Sequence, residues 1–131
     1  MENYTYYSEL IQPSFAPPAE VFGPVWSVLY LIIAITFGIV FYRVFKGIIP
    51  KFVALPFMLN LIFNFAFTPL QFGIQNNLLA AIDIVLVLIT LVWAMKSIYP
   101  YSKKICYWQI PYLIWVSFAT VLQISITMLN W

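Results

Sequence analysis

Four long apolar runs, joined by short polar or proline-containing stretches, set the pattern of this chain. They cover about residues 24–45, 52–72, 78–98 and 105–131. A membrane-spanning helix needs about 20 mostly apolar residues, whereas a spanning strand needs only about 10 residues of alternating polarity. These runs are continuously apolar, and the chain is 64% hydrophobic with only 8% charged residues. We therefore expect an all-α integral membrane protein with four transmembrane helices.

The short connections predict that sequential helices are antiparallel neighbours. Loops 46–51 and 99–104 would then lie on one side of the bundle. These loops and the helix ends beside them hold all six basic residues, namely Arg43, Lys46, Lys51, Lys96, Lys103 and Lys104. The positive-inside rule makes that side cytoplasmic. We expect a bacterial inner-membrane protein with both termini outside.

A proline-rich segment precedes the first run. Pro17 and Pro18 predict a stiff, extended stretch, because proline fixes φ and lacks an N–H donor. Pro24 suits the first position of a helix, where the missing N–H would have no acceptor anyway. We expect one domain, residues 1–131, in which residues 1–23 form a tail and a rigid lid over the first helix.

Aromatic side chains recur at helical spacing in the first and last runs. Trp26 and Tyr30, four residues apart, share one face of the first helix. Trp115, Ala119 and Leu122 follow one face of the last. Most membrane-protein tryptophans pack between helices or anchor at the interface. Trp115 lies deep in its run, and this position also suits a ligand contact.

Polar side chains inside the runs need partners within the bundle, because hydrocarbon offers none. Asn60 and Asn64 share a face, which favours interhelical hydrogen bonds, with ligand contact as the alternative. Asp83 could accept a hydrogen bond from a helix end or an asparagine, or it could serve proton-linked transport. Gln123 is expected to have a structural role.

The composition excludes several kinds of site. The chain has no histidine and one cysteine, which argues against a metal cluster and an intrachain disulfide. A net charge of +2 provides no basic patch for nucleic acid. The sequence shows no nucleophile–base pair and no phosphate-binding glycine loop.

Four stretches, in order, resemble the translocator protein/tryptophan-rich sensory protein (TspO/MBR) family. They are QPSFAPP at 12–18 running on into VFGPVW and LY at 21–30, FNFAFTP with FG at 63–73, LAAIDI at 79–84, and PYLIWVSFA at 111–119. The resemblance implies a bundle, usually a homodimer, that binds porphyrins or other hydrophobic ligands in a pocket closed by the first loop. The positions it implies for ligand binding are Pro17, Pro18, Trp26, Tyr30, Asn64, Leu79, Trp115, Ala119 and Leu122.

The chain also departs from the family pattern. Family members have five transmembrane helices, and only eleven residues precede Gln12 here, so we expect the family's first helix to be absent. Phe15 replaces the lid tryptophan, and Phe65 stands where tryptophan is frequent. Gln123 replaces an asparagine. The C-terminal sterol-recognition element is missing, which argues against sterol binding.

The sequence therefore predicts a membrane receptor or sensor that binds tetrapyrroles between Trp26 and Trp115. We expect the protein to need no cofactor, and porphyrin or haem would bind as a ligand. Small residues Ala34 and Gly38 suit a homodimer seam. Three alternatives stay open: light-dependent porphyrin degradation through Trp26 or Trp115, which only the resemblance implies; a small proton-coupled exporter that uses Asp83; and a family member whose only role is to associate with another membrane protein.

Overall fold

The computed structural model describes residues 13–16, 19–70 and 76–130; residues 13–16 form a turn, and the two longer ranges are mainly helical, with no β-strand among the described residues. The helices are α1 (Phe22–Phe45), α2 (Ala54–Thr68), α3 (Asn77–Ile98), α4 (Lys103–Trp108) and α5 (Ile110–Leu129), with 3₁₀ helices at Ala19–Val21 and Lys51–Val53. Pro17 and Pro18 of the predicted lid lie outside the described residues.

Within those ranges, three segments are long and apolar enough to cross a membrane. They are Phe22–Phe45, Asn77–Ile98 and Lys103–Leu129, the last of which combines α4 and α5. The fourth apolar segment, Lys51–Phe67, is shorter than the about 20 residues typical of a span. The predicted all-α bundle of apolar helices is confirmed.

The helix boundaries differ from the prediction at two places in the first half of the chain. Helix α1 begins at Phe22 rather than at Pro24, which becomes its third residue. Proline is tolerated there because none of the first four N–H groups of a helix has an intrahelical acceptor. Helix α2 starts at Ala54 and ends before Pro69, which cannot donate the next backbone hydrogen bond.

The last predicted helix, 105–131, is not continuous. Pro111 has no N–H to donate to the carbonyl of Tyr107, and the helix is interrupted at Gln109. The Gln109 N–H instead bonds the Cys106 carbonyl at 3.1 Å. The Gln109 side chain is fully buried, and its Nε2 donates to Thr36 Oγ1 of α1 at 2.8 Å. The interruption therefore anchors α1 to the α4–α5 junction.

Helix α3 is the centre of the bundle and packs closely against α2 and α5. Its Val87, Leu91 and Ala94 side chains are completely buried. Helix α1 has fewer tertiary contacts, and one of them is an edge-to-face pair of Phe37 with Phe57 of α2, with ring centroids 4.8 Å apart. Three helices thus form a tight core, and α1 lies against it more loosely.

A glycine ends α1. Gly47 has φ +76°, and the Gly47 and Ile48 N–H groups bond the Val44 and Arg43 carbonyls at 3.0 and 2.9 Å. This is a Schellman C-terminal motif, in which a left-handed residue lets the chain reverse while satisfying the last helical carbonyls. It directs the chain into the loop before α2.

We expect Gly47→Ala to lower the free energy of unfolding by about 1 kcal/mol, because a Cβ strains the left-handed backbone. The space around Gly47 is open, so steric clash adds nothing. Gly38→Ala is the matched control: Gly38 is helical with equally open surroundings, and alanine there should be neutral or slightly stabilising. Unfolding in detergent, followed by far-UV circular dichroism, measures both; equal changes would contradict the argument.

Candidate functional site

Three large aromatic side chains meet where α1 and α5 approach each other. Trp26 and Tyr30 stack on α1 with ring centroids 5.4 Å apart, as their spacing predicts. Trp115 of α5 meets Trp26 edge to face, with centroids 6.4 Å apart and planes at 88°. Such T-shaped contacts are favoured by the ring quadrupoles. The structure therefore brings together the two tryptophans predicted to hold a ligand.

Phenylalanines extend these contacts into an aromatic cluster. Phe22 and Phe118 both contact Trp115, with centroids 5.9 and 5.5 Å away. The sequence analysis missed both, although Phe22 lies one turn before Trp26 and Phe118 lies three residues after Trp115. We define the aromatic cluster as Phe15, Phe22, Trp26, Tyr30, Phe65, Trp115 and Phe118.

The segment before α1 also contacts this cluster. Phe15 meets Phe118 of α5 edge to face at 6.1 Å, and the Ala16 N–H bonds the Pro13 carbonyl at 3.0 Å. Phe15 therefore lies against α5. The lid itself stays a prediction, because Pro17 and Pro18 lie outside the described residues.

A hydrogen-bonded network lies beside the cluster and joins three helices. The Tyr112 hydroxyl of α5 donates to Asn60 Oδ1 at 2.8 Å and accepts from Asn64 Nδ2 at 2.7 Å, both on α2. Asn60 Nδ2 donates to the Val87 carbonyl and to Thr90 Oγ1 of α3 at 3.0 and 3.2 Å. The interhelical role predicted for the asparagines is confirmed. Tyr112, their common partner, was missed.

Two buried polar atoms near this junction have no hydrogen-bond partner among the described residues. They are Trp115 Nε1 and Asn64 Oδ1. Buried polar groups are nearly always paired, since an unpaired one costs about 1–3 kcal/mol. The site therefore holds one unused donor and one unused acceptor, which a ligand with a few polar groups would satisfy.

An apolar groove of about 450 Å³ runs between α1 and α5, next to Trp115. Its volume lies in the range of small-molecule pockets. Because the Trp26 and Trp115 rings already touch, a flat ligand enters between them only if the rings separate. The groove is lined by Pro24, Val25, Val28, Leu29, Pro111, Ile114 and Trp115.

The other residues proposed for ligand binding have different surroundings. Ala119 is half-buried against the core, one turn after Trp115, and Leu122 is buried. Leu79, in the first turn of α3, is 42% exposed on the outer surface of the described chain. Ala119 and Leu122 thus lie on the inward face of α5, as their helical spacing predicts, whereas Leu79 faces outward.

Asp83 is buried in α3, and its Oδ2 has no donor among the described residues. One of the three interpretations of Asp83, a hydrogen bond from an asparagine to this oxygen, is wrong, because the amide of Asn60 bonds α3 and that of Asn64 bonds Tyr112. A buried carboxyl group is costly in apolar surroundings. The other two interpretations, a hydrogen bond from a helix end and proton-linked transport, stay predictions.

Gln123 has the structural role expected of it. Its Nε2 donates to the Asn77 carbonyl at 3.3 Å and to Thr127 Oγ1 at 3.2 Å. Thr127 Oγ1 also lies 3.0 Å from the Asn77 carbonyl. These contacts tie the end of α5 to the first turn of α3.

Comparison with known proteins identifies the chain's relatives. The TspO/MBR family matches residues 1–129. The tryptophan-rich protein TspO of Bacillus cereus is 37% identical over 126 residues, covering 96% of this chain and 81% of that protein. That of Archaeoglobus fulgidus is 35% identical over 126 residues, covering 96% and 80%. The human translocator protein is 33% identical over 132 residues, covering 93% and 73%.

The two asparagines should differ in their effects on stability. Asn60→Leu removes an amide whose donor and acceptor are both bonded, and it leaves the buried Thr90 and Tyr112 groups with fewer partners. We expect a loss of about 1–3 kcal/mol. Asn64→Leu loses one hydrogen bond but also removes an unpaired acceptor, so we expect a change below about 1 kcal/mol. Unfolding in detergent measures both.

The stability difference also bears on function. A large loss for Asn64→Leu, equal to that for Asn60→Leu, would show that Asn64 Oδ1 is satisfied in the folded protein. A small loss would leave Asn64 dispensable for stability, as a ligand-contacting residue is expected to be.

Proposed function

Because the chain belongs to the TspO/MBR family, we propose that it is a membrane receptor or sensor that binds tetrapyrroles or similar flat hydrophobic molecules at the aromatic cluster. Family membership supports the receptor- or sensor-type role. The observation that carries the ligand class is Trp115, which contacts Trp26, borders the groove and buries an Nε1 that has no partner among the described residues.

The chemistry of the cluster suits a flat, mostly apolar ring. Aromatic faces and edges stabilise such a ring through stacked and T-shaped contacts, each worth about 0.5–1.5 kcal/mol beyond burial. Few polar contacts are needed to orient it. Trp115 Nε1 would donate to a ligand carboxylate or carbonyl, and Asn64 Oδ1 would accept from a ligand N–H or O–H. Opening the Trp26–Trp115 contact is part of the binding cost.

Protoporphyrin IX should bind the purified protein saturably at low micromolar concentration, seen as tryptophan quenching and a shift of the porphyrin absorption band. Trp26→Phe/Trp115→Phe should weaken binding about tenfold, the equivalent of one to two lost aromatic contacts. Trp93→Phe is the matched control, since Trp93 is 42% exposed on α3 and outside the cluster. Because the variants differ in tryptophan content, the absorption shift gives the affinities.

Two outcomes of this titration would reject the proposed site. One is the absence of saturable binding to the wild-type protein. The other is an affinity that falls equally in the Trp93 variant and in the double variant.

The same preparation separates two of the other functions that the sequence leaves open. If the protein only binds porphyrin, bound porphyrin should lose its absorption under illumination no faster than porphyrin in detergent alone. Faster bleaching would support light-dependent degradation.

If the protein is a proton-coupled exporter, Asp83→Asn should abolish substrate flux in vesicles, because Asp83 is the buried acid within its spans. Unchanged flux excludes Asp83 from that role.

We propose that the end of the bundle holding Arg43 and Lys104 is cytoplasmic. Both residues line one cavity, so the basic loops share an end of the bundle. The positive-inside rule supports the assignment. The homodimer stays a proposal, supported by exposed Ala34 and Gly38 on α1.

A further inference from the structure

A second cavity, of about 300 Å³, lies between α1 and α4 at the basic end of the bundle. It is separate from the aromatic cluster. Its wall on α1 is mainly apolar, formed by Ile32, Ile35 and Ile39. Its rim carries two cations, Arg43 from α1 and Lys104 from α4. The cavity is therefore apolar along its length and positively charged at one end.

The apolar wall follows the axis of α1. Ile32, Ile35, Ile39 and Arg43 recur every three or four residues and so share one helix face. Arg43 comes eleven residues after Ile32, a rise of about 16 Å along the helix, which is about half the hydrocarbon thickness of a bilayer. The strip thus has the length and polarity to accommodate one acyl chain in a single leaflet.

The charges at the rim have no acidic partner among the described residues. The acids described are Glu20, which lies before α1, and Asp83, which lies near the start of α3. Both positions are at the opposite end of the bundle from Arg43 and Lys104. Two cations that face one cavity repel each other, and a bound anion would relieve that repulsion.

Trp108 completes the rim and is 54% exposed. Indole rings favour the headgroup level of a bilayer. Arg43, Lys104 and Trp108 line one cavity, and two cations beside an indole suit the headgroup level of a bilayer.

We propose that this cavity binds an anionic phospholipid, with an acyl chain along the isoleucine strip and the phosphate between Arg43 and Lys104. Basic pockets between transmembrane helices bind anionic headgroups in this way. A zwitterionic lipid is less suited, because its own cation would meet two more. The proposal is independent of porphyrin binding.

A competing explanation is that Arg43 and Lys104 serve only to orient the protein in the membrane. Lys46 and Lys51 supply the matched control, because they belong to the same basic end but line none of the cavities described. Arg43→Gln/Lys104→Gln and Lys46→Gln/Lys51→Gln lose the same net charge. Only Arg43→Gln/Lys104→Gln removes charge from the residues that line the cavity.

Brominated phosphatidylglycerol and brominated phosphatidylcholine, which quench tryptophan on contact, serve as probes in nonionic detergent. We expect phosphatidylglycerol to bind the wild type at least about tenfold more tightly than phosphatidylcholine, since both basic residues attract its net negative charge. The preference should disappear in Arg43→Gln/Lys104→Gln and persist in Lys46→Gln/Lys51→Gln. Trp108→Phe should remove much of the quenching, which locates the lipid.

Two measurements on the wild type do not depend on how the variants fold. Raising the salt from about 0.05 M to 0.5 M should reduce the preference, because screening weakens exposed charge pairs. Glycerol phosphate at matched ionic strength should not displace the lipid, since it has no acyl chain. Displacement, equal affinity for both lipids, or equal loss in the two double variants would overturn the proposal.

Discussion

The arrangement of this bundle depends on the hydrogen bonds of the Tyr112 hydroxyl. This hydroxyl bonds both asparagines of α2, and Asn60 extends the network to α3. Water is absent from the bilayer core, so a polar side chain there has only other helices to bond. The network therefore fixes the register of α2, α3 and α5, and the apolar side chains around α3 pack in the positions that it sets.

Further contacts hold helix α1 to the other helices. Thr36 accepts from Gln109, Phe37 packs on Phe57, and Trp26 meets Trp115. These contacts are spread along the helix, and two cavities remain between them, one beside the tryptophans and one at the basic end. Ligand sites between helices arise where packing is incomplete. In this chain that condition holds along the face of α1.

Much of this fold follows from the lengths and polarity of the apolar runs, but their ends do not. Residues 105–131 are uncharged throughout, and the break at Gln109 depends on the backbone hydrogen bond that Pro111 cannot make. The start of α1 at Phe22 was missed because proline is acceptable at several positions of a first turn. These are local backbone effects that hydropathy does not report.

The candidate site was predictable where periodicity decides which residues share a face, as for Trp26 and Tyr30. The parts of the site in which hydrogen-bond partners come from different helices were not predictable. Tyr112 is unremarkable in the sequence, since its role depends on α5 lying against α2. Leu79 was placed by resemblance, and its exposure depends on how the first turn of α3 packs.

The unpaired polar atoms of the site lower the free energy of unfolding, whereas the packing and hydrogen bonds of the rest of the bundle raise it. Asn60 shows that both groups of an amide can be bonded in this bundle, yet Asn64 and Trp115 each bury one polar atom that has no partner in the described part of the chain. A phenylalanine at 115 or a leucine at 64 would remove that penalty while keeping an apolar side chain for packing. Polar groups retained at such a cost are typical of sites selected for binding. Gln109 Oε1 and Asp83 Oδ2 are also unpaired among the described residues, but Trp115 belongs to the aromatic cluster and Asn64 is the chain neighbour of Phe65, which is the physical reason to place the ligand there.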